Sequence, residues 1–145
     1  MHQLNSNQTV TIVLPNILGY ERIAMACSAS FAQMIGLAPD RIEDLKTIVA
    51  EAATNAMQHG NGGRAEAQVI IRFESVPEGI SVAVNDEGKG FENKAQDPDI
   101  ERIINDNEAP VGFGLFLIRK LSDHVAYNQL PEGGHRVEMR IAMQH

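Results

Sequence analysis

Residues 51–60 read EAATNAMQHG and place two separated polar residues, Glu51 and Asn55, in a predicted helix. Glu51 and Asn55 are four residues apart, so they lie on the same side of a helix. At about 100° per residue, that side is nearly opposite the apolar stripe of the same helix. Glu51 is the only charged residue between Thr47 and Met57, where most neighbours are small. A single carboxylate among small side chains indicates that something packs close to it.

The helix that carries this stretch is predicted to begin at Asp40 and to end near Gly60. Asp40 is the expected N-cap, with Glu43 as its capping-box partner. An earlier helix is predicted over Ile17–Ile35, ended by Gly36. The apolar stripe of the second helix recurs at helical spacing, at Ile42, Leu45, Val49, Ala52 and Ala56.

Strands are predicted in blocks, which do not alternate strictly with helices. Such an order favours an α/β (α+β) two-layer sandwich, with a mixed, mostly antiparallel sheet and helices on one face. A last helix is predicted over Gly114–Ser122. The predicted strands are Thr9–Leu14, Ala65–Phe73, Ile80–Val84, Val125–Leu130 and Arg136–Met143.

Composition narrows the class of protein. The 145 residues fit one domain, expected to span 1–145, and carry a net charge of -7. Direct binding of nucleic acid or of an anionic membrane is disfavoured, because both need clustered Lys and Arg. The single cysteine, Cys27, suits a reducing cytoplasm. No signal peptide or membrane span is expected, so the predicted location is the cytoplasm.

Two glycine-containing motifs follow the first one. Asp86-x-Gly88-x-Gly90 comes directly after a predicted strand, and its glycines let backbone approach a ligand. Gly112-x-Gly114-Leu115 opens an apolar helix, and free N–H groups at a helix start bind phosphate. Each motif is weak alone. The five histidines lack metal-ligand spacing, and no serine-hydrolase turn is present.

Together, the three motifs resemble in order and spacing the GHKL (Bergerat-fold) ATPase and kinase superfamily. Within it, the sequence is most similar to the small anti-sigma factor serine/threonine kinases. The resemblance covers nearly the whole chain and implies a Bergerat fold that binds ATP and Mg²⁺. It also implies an ATP lid at about 91–113.

The resemblance implies a role for each matching residue. Asn55 is expected to hold Mg²⁺, and Glu51 to act as the general base or to orient the attacking hydroxyl. Asp86 is expected to accept a hydrogen bond from the adenine amino group, with Gly88 and Gly90 leaving room for the base. Backbone N–H groups at Gly112 and Gly114, in the box completed by Leu115, are expected to face the phosphates.

The implied partners are proteins. The family resemblance predicts phosphorylation of a Ser or Thr on a STAS-type anti-anti-sigma protein. It further predicts alternating binding to a sigma factor, and a homodimer. Because the domain is acidic, ATP binding is expected to depend strongly on Mg²⁺. The chain departs from the family in having no Thr in the turn before the last strand, where Gly133-Gly134-His135 stands.

Three other functions fit the same residues. One is a nucleotide-gated binding module without transferase activity. Another is a switch kinase of a signalling complex that has no sigma factor partner. The third is a domain that binds no nucleotide.

Overall fold

The computed structural model describes residues 7–88 and 109–144. Gly90 and residues 91–108 of the predicted lid lie outside the described residues. The elements in chain order are β1 (Thr9–Pro15), α1 (Glu21–Ile35), α2 (Pro39–Asn55), a π-helical turn (Ala56–Gly60), β2 (Gln68–Val76), β3 (Gly79–Asn85), α3 (Ala109–Leu121), β4 (His124–Gln129) and β5 (His135–Ala142).

The five strands form one sheet in the order β1-β2-β3-β5-β4. Every neighbouring pair is antiparallel, which confirms the predicted antiparallel character and leaves no parallel pair among the described strands. The pairing of β3 with β5 sets Asn85 opposite Arg136. The end of β3 therefore lies beside the start of β5, and Asp86 directly follows β3 at this end of the two strands.

The two faces of the sheet differ in polarity. Side chains such as Ile71, Phe73 and Val82 are fully buried under the helices. Alternate positions, including Arg72 and Glu138, line a shallow polar hollow on the opposite face. This period-two alternation places the helices on one face only, as predicted.

The starts and ends of α1 and α2 follow from glycine and proline. Gly36 ends α1 with a φ of 90°, and its N–H bonds to the carbonyl of Ala32. Pro39 begins α2, and Ala38 before it is extended. The prediction that Asp40 is the N-cap is therefore wrong, because a proline suits the first helical position and forces its predecessor out of the helical region.

The core forms where α2 crosses the sheet. All five residues of the predicted apolar stripe are buried, four of them on α2 and the fifth, Ala56, in the π-helical turn. Leu45 and Val49 are completely buried. Cys27 is half-buried and packs against this core, and burial raises the pKa of its thiol. Among the described residues, no helix is long and apolar enough to cross a bilayer.

Candidate nucleotide-binding site

Glu51 and Asn55 lie one turn apart on the last part of α2. Both side chains are half-buried rather than fully solvated. Their neighbours Ala52 and Ala53 are both buried, so the core-facing arc of α2 is wider here than a narrow stripe. The two polar side chains consequently lie at the margin of the core.

Asn55 carries a buried polar atom that lacks a partner. Its Nδ2 is shielded from solvent and forms no hydrogen bond to any described residue. Buried amides are nearly always hydrogen-bonded, so an exception calls for an explanation. A side-chain amide can turn either its oxygen or its nitrogen toward a ligand. Asn55 thus fits a place where a ligand completes the polar contacts.

The helical turn after Asn55 is widened. Residues Ala56–Gly60 form a π-helical turn, closed by the Asn61 N–H, which donates to the carbonyl of Ala56 at 2.7 Å. Such turns are rare and occur often at functional sites. The widening directs Gly60 toward the end of β3. His59 in the same turn is half-buried, and burial lowers its pKa.

Asp86 follows β3 and is fixed by the start of β5. Its side chain is only 9% exposed. Oδ1 accepts a hydrogen bond of 3.0 Å from the backbone N–H of His135, whose ring Nδ1 lies 3.2 Å away. The Asp86 N–H in turn donates to the carbonyl of His135 at 2.9 Å. These contacts occupy Oδ1 and hold the carboxylate in one orientation.

The second carboxylate oxygen of Asp86 lies against Gly60. A Cβ atom added at Gly60 would overlap Asp86 Oδ2, so only glycine leaves space for the carboxylate there. The last residue of the 51–60 stretch is therefore in contact with the first residue of the Asp86 motif. The fold brings together two motifs that are separated in the sequence.

Gly88 packs against the turn between β4 and β5. Gly88 and Gly134 both have positive φ angles, 79° and 95°. A Cβ atom at Gly88 would overlap the backbone of Gly134, and one at Gly134 would overlap the Asp86 carbonyl. The space at Gly88 is therefore filled by the neighbouring turn, which gives a packing reason for glycine at this position.

The third motif lies inside α3 rather than before it. The helix begins at Ala109, so the prediction of a start at Gly114 is wrong. Proline is tolerated in the first turn, and two helical glycines cost only about 1 kcal/mol each. Leu115 and Ile118 are buried, and this burial offsets that cost. Gly112 is the fourth residue of the helix and Gly114 the sixth, so both lie at its amino-terminal end, where the helix dipole is positive.

Two residues without an assigned role prove to contact the Asp86 motif. His135 holds the Asp86 carboxylate, and Asn61 accepts a hydrogen bond of 2.7 Å from the Glu87 N–H. Both contacts join residues far apart in the chain, so no local pattern marks them. The only local sequence signal is the glycine that precedes each residue, Gly60 before Asn61 and Gly134 before His135.

A divalent ion at this site would share its ligands with a nucleotide. Within residues 7–88 and 109–144, no group of three or more His, Cys, Asp or Glu side chains is arranged to hold a metal. Mg²⁺ bound with a triphosphate needs only one or two protein ligands, since phosphates and waters supply the rest. The side-chain oxygen of Asn55 could supply one such ligand.

Comparison with known proteins places the chain in a family. Residues 15–141 match the family described as histidine kinase-like ATPase domain. The chain is 36% identical over 115 residues to the serine-protein kinase RsbW of Bacillus subtilis (strain 168), covering 77% of this chain and 70% of that protein. It is 31% identical over 128 residues to the serine-protein kinase RsbW of Bacillus pumilus (strain SAFR-032), covering 82% and 79%.

A third relative gives the same result. The serine-protein kinase RsbW of Oceanobacillus iheyensis is 32% identical over 125 residues, covering 79% of this chain and 73% of that protein. The matched region contains α1, α2, Asp86 and most of the sheet. The chain belongs to the histidine kinase-like ATPase (GHKL) family, among relatives of the RsbW serine-protein kinases.

Proposed function

We propose that this protein is an ATP-dependent protein serine/threonine kinase of the anti-sigma factor type. The observation that carries the proposal is the contact between Gly60 and the Asp86 carboxylate. It joins the end of the helix that carries Glu51 and Asn55 to the fixed carboxylate that follows β3. Family membership and the names of the relatives support the same conclusion.

Asp86 is the proposed adenine-binding group. His135 occupies Oδ1, and no described residue donates a hydrogen bond to Oδ2. An ionised carboxylate only accepts hydrogen bonds, which suits the exocyclic amino group of adenine. Guanine carries a carbonyl oxygen at that place, so the same carboxylate would reject it.

The phosphates are proposed to lie between α2 and the start of α3. ATP supplies the phosphoryl group, and Mg²⁺ neutralises its charge. Asn55 is the proposed Mg²⁺ ligand, and the amino-terminal end of α3, which carries Gly112 and Gly114, is proposed to face the phosphates. The chain has a net charge of -7, so backbone dipoles and the ion must supply most of the positive potential. ATP affinity should therefore fall strongly without Mg²⁺.

Glu51 is proposed to act on the attacking hydroxyl. It lies one helical turn before Asn55 and is half-buried beside small residues. Its carboxylate would accept the hydroxyl proton as the serine or threonine oxygen bonds to the γ-phosphorus of ATP, while the bond from that phosphorus to the bridging oxygen breaks and ADP leaves. Phosphoryl transfer depends mainly on positioning and charge neutralisation, so one carboxylate on a rigid helix suffices.

The proposed acceptor is a Ser or Thr of a STAS-type anti-anti-sigma protein. We further propose that the kinase binds a sigma factor in alternation with that protein and acts as a homodimer. These statements rest on the family resemblance of residues 39–60 and 112–118.

The test is transfer of labelled phosphate from Mg-ATP to the STAS-domain proteins of the same organism. Glu51→Ala should abolish labelling and leave ATP affinity within about twofold, because Glu51 acts on the acceptor. Glu43→Ala, on the exposed first part of α2, is the matched control and should label normally. Full labelling by Glu51→Ala would overturn the role of Glu51. ATP-dependent binding of the STAS protein without any labelling would identify a binding module instead of a kinase.

A further inference from the structure

Asn61 is a fully buried polar residue between the two halves of the site. It follows the π-helical turn and has no exposed surface. Its Nδ2 donates to Asn16 Oδ1 and to the carbonyl of Gln68, both at 3.0 Å. Its Oδ1 accepts from the Glu87 N–H at 2.7 Å. The amide therefore uses both of its donor hydrogens and its acceptor, each toward a different segment.

Asn16 completes a buried pair of amides. It lies directly after β1 and is 7% exposed. Its Nδ2 donates to the carbonyls of Met57 at 3.2 Å and Arg64 at 3.0 Å. Asn16 thus ties the π-helical turn to the loop before β2. Its contacts orient Asn61 without touching the Asp86 motif.

The contact to Glu87 is the one that reaches the nucleotide site. Glu87 is the residue between Asp86 and Gly88, and its side chain is exposed. Its N–H is a backbone group, so the bond to Asn61 fixes the chain rather than a side chain. A second bond holds the Glu87 side chain to the start of β2, because Glu87 Oε2 accepts from the Gln68 N–H at 2.9 Å.

We propose that Asn61 is a positioning residue for base recognition. By holding the Glu87 N–H, it sets the backbone from which the Asp86 carboxylate projects, and so sets the preference for adenine over guanine. His135 fixes Asp86 from the side of β5, and Asn61 fixes the next residue from the side of α2. This inference rests on the proposed role of Asp86.

Base preference separates positioning from general stability. A variant that is merely less stable binds ATP and GTP with the same ratio of affinities, as long as it is folded. A misplaced carboxylate lowers the ratio, because displacements of about 1 Å weaken a hydrogen bond that depends on geometry. The ratio is therefore the informative measurement.

The experiment is calorimetric titration of Mg-ATP and Mg-GTP into the full chain and its variants. Asn61→Ala should lower the ATP-to-GTP affinity ratio by about tenfold, the change expected when one buried hydrogen bond is lost. Glu87→Ala is the matched control: it removes the side-chain bond to Gln68 but keeps the backbone N–H, and should keep the ratio within about twofold. Asn61→Ser replaces Asn61→Ala if the alanine variant does not fold, because its shorter side chain also leaves the Glu87 N–H without an acceptor.

Two further variants complete the test. Phe31→Leu, in the core between α1 and β2, lowers stability at a distance from the site and should keep the wild-type ratio. In an Asp86→Asn background, Asn61→Ala should have no further effect on the ratio, because Asn61 acts through Asp86.

The outcomes distinguish this inference from the proposed function. An unchanged ratio in folded Asn61→Ala or Asn61→Ser, with a reduced ratio in Asp86→Asn, overturns the role of Asn61 alone. A wild-type chain that binds neither nucleotide, or Asp86→Asn with the wild-type ratio, overturns the nucleotide site itself.

Discussion

The two ends of α2 are held by different chemistry. At the amino end, the buried guanidinium of Arg41 bonds to Asp123, to Asp44 at 2.9 Å and to the Ala142 carbonyl at 3.3 Å. At the carboxyl end, the neutral amides of Asn16 and Asn61 make the equivalent buried contacts. The amino end is thus anchored by a buried cation with two carboxylates, and the carboxyl end by two neutral amides, beside which Arg64 Nε donates to the Asn61 carbonyl at 3.1 Å.

The difference is explained by what each end must do. The amino end of α2 is joined by Arg41 to the end of β5 and to Asp123, which precedes β4. The carboxylates of Asp123 and of Asp44 on α2 balance the buried cation. The carboxyl end borders the Asp86 carboxylate, which the proposed function requires to be available to a neutral base. A fixed cation there would pair with Asp86, whereas an amide orients the chain without competing for the carboxylate. The side chains that hold the carboxyl end beside Asp86 are accordingly neutral, and the nearby guanidinium of Arg64 is paired with Glu66 at 3.1 Å.

The largest expected effect comes from breaking the charged end. Arg41→Met should lower the free energy of unfolding by about 3 kcal/mol, because it removes the cation from a buried pair. Urea unfolding measures this loss. ATP affinity of the folded variant should be unchanged, since α2 has 17 residues and is about 25 Å long.

Arg140→Met is the control for the charged end. Arg140 is exposed on β5, so its loss should change stability by less than about 0.5 kcal/mol. If Arg41→Met lowered the unfolding free energy by no more than Arg140→Met, the Arg41 ion pairs would contribute no more than surface ion pairs, and α2 would not be anchored by charge at its amino end.

The next effect comes from crowding the site end. Gly60→Ala should lower the unfolding free energy by about 1–3 kcal/mol and ATP affinity by at least about tenfold, because the added Cβ displaces the Asp86 carboxylate. Calorimetric titration and urea unfolding report the two changes separately.

Gly63→Ala provides the matched comparison for Gly60. Gly63 has a positive φ of 72° but open space around its missing side chain. Its replacement should cost about 1–2 kcal/mol of stability and leave ATP affinity intact. Equal ATP affinities in the two glycine variants would show that Gly60 does not shape the site.

The smallest effect concerns pH and acts at the site end. Burial lowers the pKa of His59 in the folded protein, so the unfolded chain binds more protons at pH values near 6.5, the ordinary pKa of histidine. Stability from this group is present above that pH and is lost as pH falls below it. His59→Gln should therefore reduce the difference in unfolding free energy between pH 7.5 and pH 5.5. If the pH dependence of the unfolding free energy were identical in wild type and His59→Gln, burial of His59 would not be the cause of that dependence.

Much of the fold follows from local patterns. The buried stripe of α2 and the strand alternation are readable because burial imposes a period of 3.6 on helices and 2 on strands. Gly36 ends α1 as predicted, because glycine adopts the left-handed conformation easily. The same local reasoning misplaced the helix start at Asp40, where the proline before it takes precedence.

The site was only partly predictable. Glu51, Asn55 and Asp86 stand out as isolated polar residues at element ends, but the contacts that hold Asp86 do not. Asn61 and Asn16 are 45 residues apart in the chain, and Asp86 and His135 are 49 apart. Such pairings depend on strand register and on the π-helical turn, neither of which has a reliable sequence pattern.

The proposed role of Asp86 in adenine binding is tested most directly by the affinity of Mg-ATP for the wild type and for Asp86→Ala, measured by calorimetric titration. The wild type should bind ATP, and Asp86→Ala should bind it at least about 100-fold more weakly, because a buried charge-assisted hydrogen bond is lost. Folding of the variant is confirmed by its urea transition. Equal ATP affinity in the wild type and in folded Asp86→Ala would contradict the account.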